Sequence, residues 1–274
     1  MRRKKVGIAL SGGGVRGVAH LGVLQALTEQ GILISHISGT SAGAIAGAFF
    51  AEGYSPQDTL KLITETKLLR YLRPALGNLG LLSMEQTGQL FRQYIPHNTF
   101  EELKIPLTIC AVDISEGKLS YFNNGELSKA ILASSSLPGI FKPTQIDGRL
   151  YIDGGVLNNF PVEPLISTCD VIIGSSCNHL PPVKKIDSMK QLIERTAILA
   201  VSANIMAKKQ YCDAFIEPKG MAGFSVFDTK KAEDIFWLAY DATMRELDVN
   251  ETLRQLTGVK KQKQDKKLAD EVPE

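Results

Sequence analysis

Two stretches in the first fifty residues decide the fold: VGIALSGGGVRG at residues 6–17 and HISGTSAGAIAGA at residues 36–48. In each stretch, an apolar run typical of a buried strand reaches a glycine-rich turn and passes directly into a helical pattern. The first helix is expected to close at Gly31, and the second to extend from Ala42 to about Glu52. Two such units in succession predict a parallel sheet covered by helices.

Weaker signals extend this α/β pattern along the chain. Ser55 before Pro56 and Ser83 before Gln86 indicate two further helix starts, and an Asp-Gly turn predicts a hairpin over residues 145–152. Apolar runs predict strands at residues 5–10, 32–39, 106–114, 119–122, 170–176 and 214–217. Helical spacing predicts long helices over residues 188–209 and from about 231 to 256.

Length and composition fit one globular domain. The chain has 274 residues, of which 44% are hydrophobic and 22% are charged, close to ordinary globular usage. We expect a single domain over residues 1–258 and a disordered Lys-rich tail over residues 259–274, which has nothing to bury. The apolar, aperiodic stretch from Leu68 to Leu82 fits either a mobile cover over a site or an ordinary buried connection.

Charge narrows the class of partner. The formal net charge is +2, but outside residues 2–5 and 260–274 the chain has 22 basic and 25 acidic residues. This balance lacks the basic footprint of nucleic-acid binding, so we expect no nucleic-acid partner. The basic terminal clusters fit either solvated ends or contact with an anionic membrane surface.

Cysteine usage and hydropathy bear on the compartment. Four cysteines without C-x-x-C spacing predict buried thiols in a reducing environment. The apolar run after the basic start covers only Val6 to Leu10, too short for a signal peptide, and no run approaches the roughly 18 residues of a membrane span. We therefore expect a cytoplasmic protein, with peripheral membrane contact as an open alternative.

The first glycine-rich turn, GGGVRG at residues 12–17, admits two interpretations. Gly12, Gly14 and Gly17 satisfy the G-x-G-x-x-G pattern of dinucleotide-binding folds. That pattern expects an acidic residue at the end of the second strand, where residues 37–41 read ISGTS instead. The other use of such a loop is as an anion cradle, in which backbone N–H groups approach a ligand oxygen closely.

The second turn, GTSAG at residues 39–43, matches G-x-S-x-G at a strand-to-helix junction. Such a junction is the place of a nucleophile elbow, which raises a serine Oγ above the sheet edge at a helix N-terminus. Ser41 is therefore a candidate nucleophile. The alternative is a tight turn with a helix-capping serine.

A serine nucleophile needs a base. The chain offers four histidines, which we interpret as surface or helix residues: His20, His36, His97 and His179. Of these, only His179 follows a predicted strand end, so a triad of Ser41, Asp153 and His179 is one alternative. Asp153 itself is a second candidate, because it ends a short apolar strand and two glycines behind it let another segment approach. An ordinary Asx-turn explains the same D-G pair equally simply.

Together the motifs resemble those of a known family. A Gly-rich loop with an arginine, then G-T-S-A-G, then D-G-G is the order found in patatin-like phospholipases, particularly small bacterial members similar to the esterase domain of neuropathy target esterase. The resemblance covers about residues 6–217 and extends to Asn158, Asn159 and Pro161 and to ASSSLP at residues 133–138. Residues 218–274 match no pattern that we can name.

The resemblance implies a three-layer α/β fold, with helices on both faces of a mostly parallel sheet, and a Ser–Asp dyad in place of a triad. It implies Ser41 as nucleophile, Asp153 as base and the backbone N–H groups of Gly12, Gly13 and Gly14 as the oxyanion hole. Arg16 matches the family's basic loop position, where it either attracts a lipid phosphate or fixes the loop through an ion pair.

The activity that the resemblance implies is hydrolysis of acyl esters in phospholipids, lysophospholipids or related lipids, with no metal or cofactor. The main alternative is a catalytically idle lipid-binding or regulatory protein on the same fold. The sequence predicts no oligomeric state.

Overall fold

The computed structural model describes residues 3–66, 73–75, 79–226 and 229–257. Within these residues the strands are, in chain order, β1 (Val6–Leu10), β2 (His36–Thr40), β3 (Arg73–Pro74), β4 (Leu82–Ser83), β5 (Leu107–Asp113), β6 (Lys118–Phe122), β7 (Thr144–Ile146), β8 (Arg149–Asp153), β9 (Val171–Ser175) and β10 (Ala214–Ile216). The α-helices are α1 (Ala19–Glu29), α2 (Ala42–Glu52), α3 (Pro56–Glu65), α4 (Glu85–Tyr94), α5 (Leu127–Ser135), α6 (Glu163–Ile166), α7 (Met189–Lys208), α8 (Ala232–Val249) and α9 (Glu251–Leu256).

One mixed sheet organises the molecule, in the order β10-β9-β1-β2-β5-β8-β7, with β6 also paired to β5. The strands from β10 to β5 are parallel. β6 and β8 both pair antiparallel with β5, and β7 pairs antiparallel with β8. Leu10 pairs with both Gly39 and Ser175, so β1, β2 and β9 end at the same edge. The turns after these strands therefore meet at that edge, where ligands bind in open α/β sheets.

Helices cover both faces of the sheet, because alternate side chains of its strands point to opposite sides. Ile8 and Leu10 of β1 join the large core cluster beneath α1, α2 and α8. Ala9, between them, joins a second cluster on the other face together with Phe160 and Ile205. This arrangement confirms the predicted three-layer α/β fold.

Several local predictions are confirmed at the level of backbone geometry. Gly31 adopts a left-handed conformation (φ 73°) after α1, and the N–H of Ile32 donates to the Leu27 carbonyl, as in a Schellman motif. Asp147 and Gly148, with φ values of 48° and 79°, form the two-residue turn between β7 and β8.

Three element boundaries were predicted wrongly. β2 begins at His36 and not at residue 32, because the preceding residues form a connection. Ser83 does not cap α4: Met84 is the capping residue, and the Ser83 hydroxyl accepts from the Glu85 N–H at 3.3 Å. The predicted helix over residues 231–256 is broken at Asn250, whose extended backbone ends α8 and whose side chain caps α9.

Two predictions fall wholly or partly outside the described residues. These are the tail over residues 259–274 and, within the stretch from Leu68 to Leu82, residues 68–72 and 76–78. Within the described part of that stretch, the Leu82 N–H donates to the Ile140 carbonyl and the Leu82 carbonyl accepts from the Lys142 N–H.

Among the helices that the structure describes, none combines the length and the apolar character needed to span a bilayer.

Candidate active site

Ser41 occupies a sharp turn between β2 and α2, with φ 53° and ψ −120°, a conformation that non-glycine residues rarely adopt. Both flanking glycines are required: a Cβ on Gly39 would lie 2.6 Å from the Gly43 carbonyl group, and a Cβ on Gly43 would collide with the Leu10 carbonyl oxygen. The Ser41 side chain makes no capping bond to α2. The turn therefore has the geometry of a nucleophile elbow and not of an ordinary helix cap.

The elbow is braced from the neighbouring elements. The Ser41 N–H donates to Ser134 Oγ at 2.8 Å, and the Ser134 hydroxyl donates to the Cys110 carbonyl at 2.6 Å. Ser134 lies on α5 and Cys110 on β5, so both elements fix the position of the turn. The stretch at residues 133–138 thus contributes to the site by holding its backbone.

Asp153 ends β8 beside the elbow and is almost completely buried, with 5% of its surface exposed. Burial raises the pKa of this carboxyl to about 6, against the opposing effect of hydrogen bonds from the Ser41 side chain and the Gly155 N–H. The Gly155 N–H donates to Oδ1 at 2.8 Å. Gly154 is required here, since a Cβ would collide with the Cys110 carbonyl. The structure thus places the Asp153 carboxyl next to the Ser41 side chain.

The Gly-rich loop lies directly against the elbow, but one of its three predicted donors is already engaged. A Cβ on Gly12 would lie only 3.2 Å from the Ser41 Cβ. The Gly12 N–H donates to the Asn159 carbonyl at 3.1 Å and is therefore directed away from any substrate oxyanion. This geometry corrects the three-donor prediction and leaves the N–H groups of Gly13 and Gly14 as the candidates.

Buried side chains behind the loop orient the peptide that joins Gly12 to Gly13. The Gly12 carbonyl accepts from Asn178 Nδ2 at 2.6 Å and from Asn159 Nδ2 at 3.2 Å. Because the C=O and N–H of a trans peptide point in opposite directions, these bonds turn the Gly13 N–H away from the interior. Sequence analysis missed Asn178, whose only signal was a polar residue placed soon after the apolar run of β9.

His20 ties the same loop to β9. Its Nε2 lies 2.7 Å from the Ser11 carbonyl and its Nδ1 lies 2.8 Å from Ser175 Oγ. Since a carbonyl only accepts, Nε2 carries the proton and Nδ1 accepts from the Ser175 hydroxyl. Burial lowers the pKa of His20 to about 4, so the ring is neutral at physiological pH. The helical position of His20 was predicted correctly, but its position behind the loop was not.

Arg16 is buried, contrary to the substrate-binding role considered for it, with 5% of its surface exposed. Its Nε donates to the Phe224 carbonyl at 2.7 Å, and the neighbouring Val15 N–H donates to the Val226 carbonyl at 2.9 Å. Arg16 therefore fits the alternative role of fixing the loop, here through a main-chain carbonyl. The bond from Val15 also engages a donor at the start of the first helix that a dinucleotide pyrophosphate would need.

The histidine alternative finds no geometric support. His179 Nδ1 lies 3.4 Å from Glu217 Oε2, beyond the end of β10. In the sheet, β9 and β8 lie on opposite sides of β2, so His179 and Asp153 flank Ser41 from different directions. His97 pairs with Glu52, at 2.7 Å. The carboxylate next to Ser41 thus accepts from the Gly155 N–H, and each histidine nearby is engaged elsewhere.

Comparison with known proteins agrees with these motifs. An uncharacterized NTE family protein of Mycobacterium tuberculosis is 38% identical over 177 residues, which cover 64% of this chain and 49% of that protein. Patatin-like phospholipase domain-containing protein 6 of Mus musculus is 33% identical over 167 residues, or 58% of this chain and 12% of that protein. The chain therefore spans about half the length of the mycobacterial relative.

The fold has a counterpart among solved structures. VipD from Legionella pneumophila superposes with a TM-score of 0.55 at 16% identity, covering 91% of this chain and 67% of that one. At this identity the likeness concerns the fold alone. The family model for patatin-like phospholipases matches residues 8–166, more than half of the sequence and including the Gly-rich loop, the elbow and Asp153. The chain belongs to the patatin-like phospholipase family.

Proposed function

We propose that this chain hydrolyses acyl esters of phospholipids, lysophospholipids or related lipids, with Ser41 as nucleophile and Asp153 as general base. Membership of the family supports lipid ester hydrolysis as the class of reaction. The observation that carries the finer proposal is the strained Ser41 turn beside a buried carboxyl whose pKa is raised to about 6. Strained backbone and perturbed carboxyl groups cluster at catalytic sites.

In the first half of the reaction, Asp153 accepts the proton of the Ser41 hydroxyl as Oγ attacks the ester carbonyl. The tetrahedral oxyanion is stabilised by the Gly13 and Gly14 N–H groups, with support from the N-terminus of α2. One backbone donor of this kind is worth about 10²- to 10³-fold in rate. The alcohol then leaves with the proton from Asp153, and an acyl-enzyme remains.

In the second half, Asp153 deprotonates a water molecule that attacks the acyl-enzyme and releases the fatty acid. The raised pKa is useful for both halves. An unperturbed aspartate, with a pKa of about 3.9, is a weak base toward a hydroxyl, whereas a carboxylate with a pKa of about 6 accepts the proton more readily and is still mostly ionised at pH 7.

Product analysis on a mixed lipid extract tests this proposal. Mass spectrometry should detect free fatty acid and deacylated lipid with the parent chain and with Ser115→Ala, the replacement of an exposed serine in the turn between β5 and β6. Ser41→Ala should release neither product. Release of the same products by Ser41→Ala would contradict the proposal, and lipid bound without turnover by the parent would favour the idle lipid-binding alternative.

A further inference from the structure

Helix α7 presents an apolar surface to solvent. Five large apolar side chains expose between 46% and 70% of their surface: Met189, Leu192, Ile193, Leu199 and Met206. We name these residues the α7 stripe. The opposite side of the helix is buried through Ile198 and Ile205. A surface helix normally carries polar or charged residues on its outer side, whereas these five exposed positions of α7 are large and apolar.

The C-terminal part of α7 is anchored near the candidate active site. Asn204 Nδ2 donates to the Leu157 carbonyl at 2.9 Å, four residues after Asp153. Farther along the helix, Lys208 pairs with Glu163, toward the other edge of the sheet. With a rise of 1.5 Å per residue, Met189 lies about 22 Å from Asn204 along the helix axis, in the direction away from Glu163. The first half of α7 therefore extends past the sheet edge that carries Ser41.

Further exposed apolar side chains lie in the segments next to Asp153. Val156 and Leu157 follow the D-G-G sequence, and each exposes more than 40% of its surface. Leu137 is similarly exposed, and the neighbouring Ser136 carbonyl accepts from the Asp153 N–H at 3.0 Å. Two segments that adjoin Asp153 thus expose apolar side chains to solvent.

Basic residues lie at the free end of the stripe. Lys184 and Lys185 are exposed just before α7, between the exposed side chains of Val183 and Ile186. Asp187 pairs with Lys185 at 2.6 Å. Apolar side chains interleaved with lysines form the kind of surface that binds the interface of an anionic bilayer.

We propose that the α7 stripe, together with Val156, Leu157 and the Lys184–Lys185 pair, docks the protein on an anionic lipid bilayer. The proposal rests on the proposed function, since a lipid ester hydrolase must take its substrate from a lipid phase. The helix lies on the bilayer and does not cross it, because no described helix is long and apolar enough to span one.

Sedimentation with vesicles of equimolar phosphatidylcholine and phosphatidylglycerol tests the docking surface, using the full chain with Ser41→Ala so that the lipid is not consumed. Adding Leu192→Asp and Ile193→Asp should weaken vesicle binding at least about 10-fold for each aspartate. The matched control is Leu33→Asp, since Leu33 is 54% exposed and lies before β2 at the opposite sheet edge. It should bind vesicles like the Ser41→Ala parent.

Removing the charges of Lys184 and Lys185 should weaken binding to these vesicles about 5-fold for each lysine. Binding to vesicles of phosphatidylcholine alone should not change.

Several outcomes overturn the proposal. The first is absence of vesicle binding by the parent, and the second is unchanged binding by the Leu192→Asp, Ile193→Asp variant. The third is a parent that forms a dimer and a variant that is monomeric but still binds vesicles, since the stripe would then be covered by a second copy. The Tm of the double variant must match that of the parent. If it does not, Met189→Asp is used in its place. If the chain with Ser41 intact releases no fatty acid while vesicle binding depends on the stripe, the proposed function fails and the docking surface stands.

Discussion

Replacing Asp153 by asparagine should remove activity and, at neutral pH, stabilise the fold. The carboxyl is buried and its pKa is raised to about 6, compared with about 3.9 in an unfolded chain. A group with a higher pKa in the folded state binds its proton more tightly there, so the folded protein loses stability as pH rises through 6. At about 1.4 kcal/mol per pKa unit, the ionised carboxylate costs about 3 kcal/mol above pH 7.

Asparagine is close in shape to aspartate and never ionises. Its carbonyl oxygen can still accept from the Gly155 N–H, which lies 2.8 Å from Oδ1 of Asp153. We therefore expect Asp153→Asn to match the parent in free energy of unfolding near pH 4 and to exceed it by about 1–3 kcal/mol at pH 8. For a chain of this size, that difference raises Tm by several degrees.

The assay pairs chemical denaturation at pH 4 and pH 8 with ester hydrolysis at the same pH values. Hydrolysis by Asp153→Asn should fall by at least about 10²-fold in kcat, and kcat/KM of the parent should decline as pH falls below about 6. Asp241→Asn is the control, because Asp241 is exposed on α8 and its replacement should change stability by no more than about 0.5 kcal/mol at either pH. If Asp153→Asn and the parent had equal free energies of unfolding at both pH values, Asp153 would not be a buried group with a raised pKa. If Asp153→Asn remained active, Asp153 would not be the base.

Other variants test the surroundings of the dyad. His179→Ala should keep nearly full activity in steady-state kinetics, and loss to the level of Ser41→Ala would restore the triad. Asn178→Ala removes the 2.6 Å bond to the Gly12 carbonyl and should lower kcat at least about 10-fold with little change in KM; an effect on KM alone would contradict the role in orienting Gly13. Arg16→Met should lower the free energy of unfolding by about 1–3 kcal/mol, because the Phe224 carbonyl loses its donor. A selective rise in KM for phosphate-bearing esters would instead return Arg16 to substrate binding.

The sequence predicted those parts of the site that depend on neighbouring residues. The elbow is such a case, since its strand, glycines, serine and helix are contiguous at residues 36–52. The D-G-G turn after β8 is another, because its aspartate and glycines act within three residues. The break at Asn250 depends on neighbouring residues in the same way, since asparagine before Glu251 is a local helix-start signal that opposes the continuous helical spacing.

The parts that were missed depend on partners far apart in the chain. The direction of the Gly12 N–H is set by Asn159, and that of its carbonyl by Asn178, more than 140 residues away. The role of Arg16 is set by Phe224, in a segment without a recognisable pattern. Spacing in the sequence carries no information on such contacts. The family resemblance therefore implied three oxyanion donors where the geometry leaves two.

Covalent labelling with a fluorophosphonate probe tests whether Ser41 is the activated nucleophile on which the proposed function depends. In the folded protein, a serine beside a raised-pKa carboxylate and an oxyanion cradle should accept the phosphonyl group from the probe, with fluoride as the leaving group. We predict a single adduct that peptide mapping assigns to Ser41, slower labelling in Asp153→Asn and none in Ser41→Ala. An adduct on another serine, or a folded protein that takes up no probe, would contradict the assignment of Ser41.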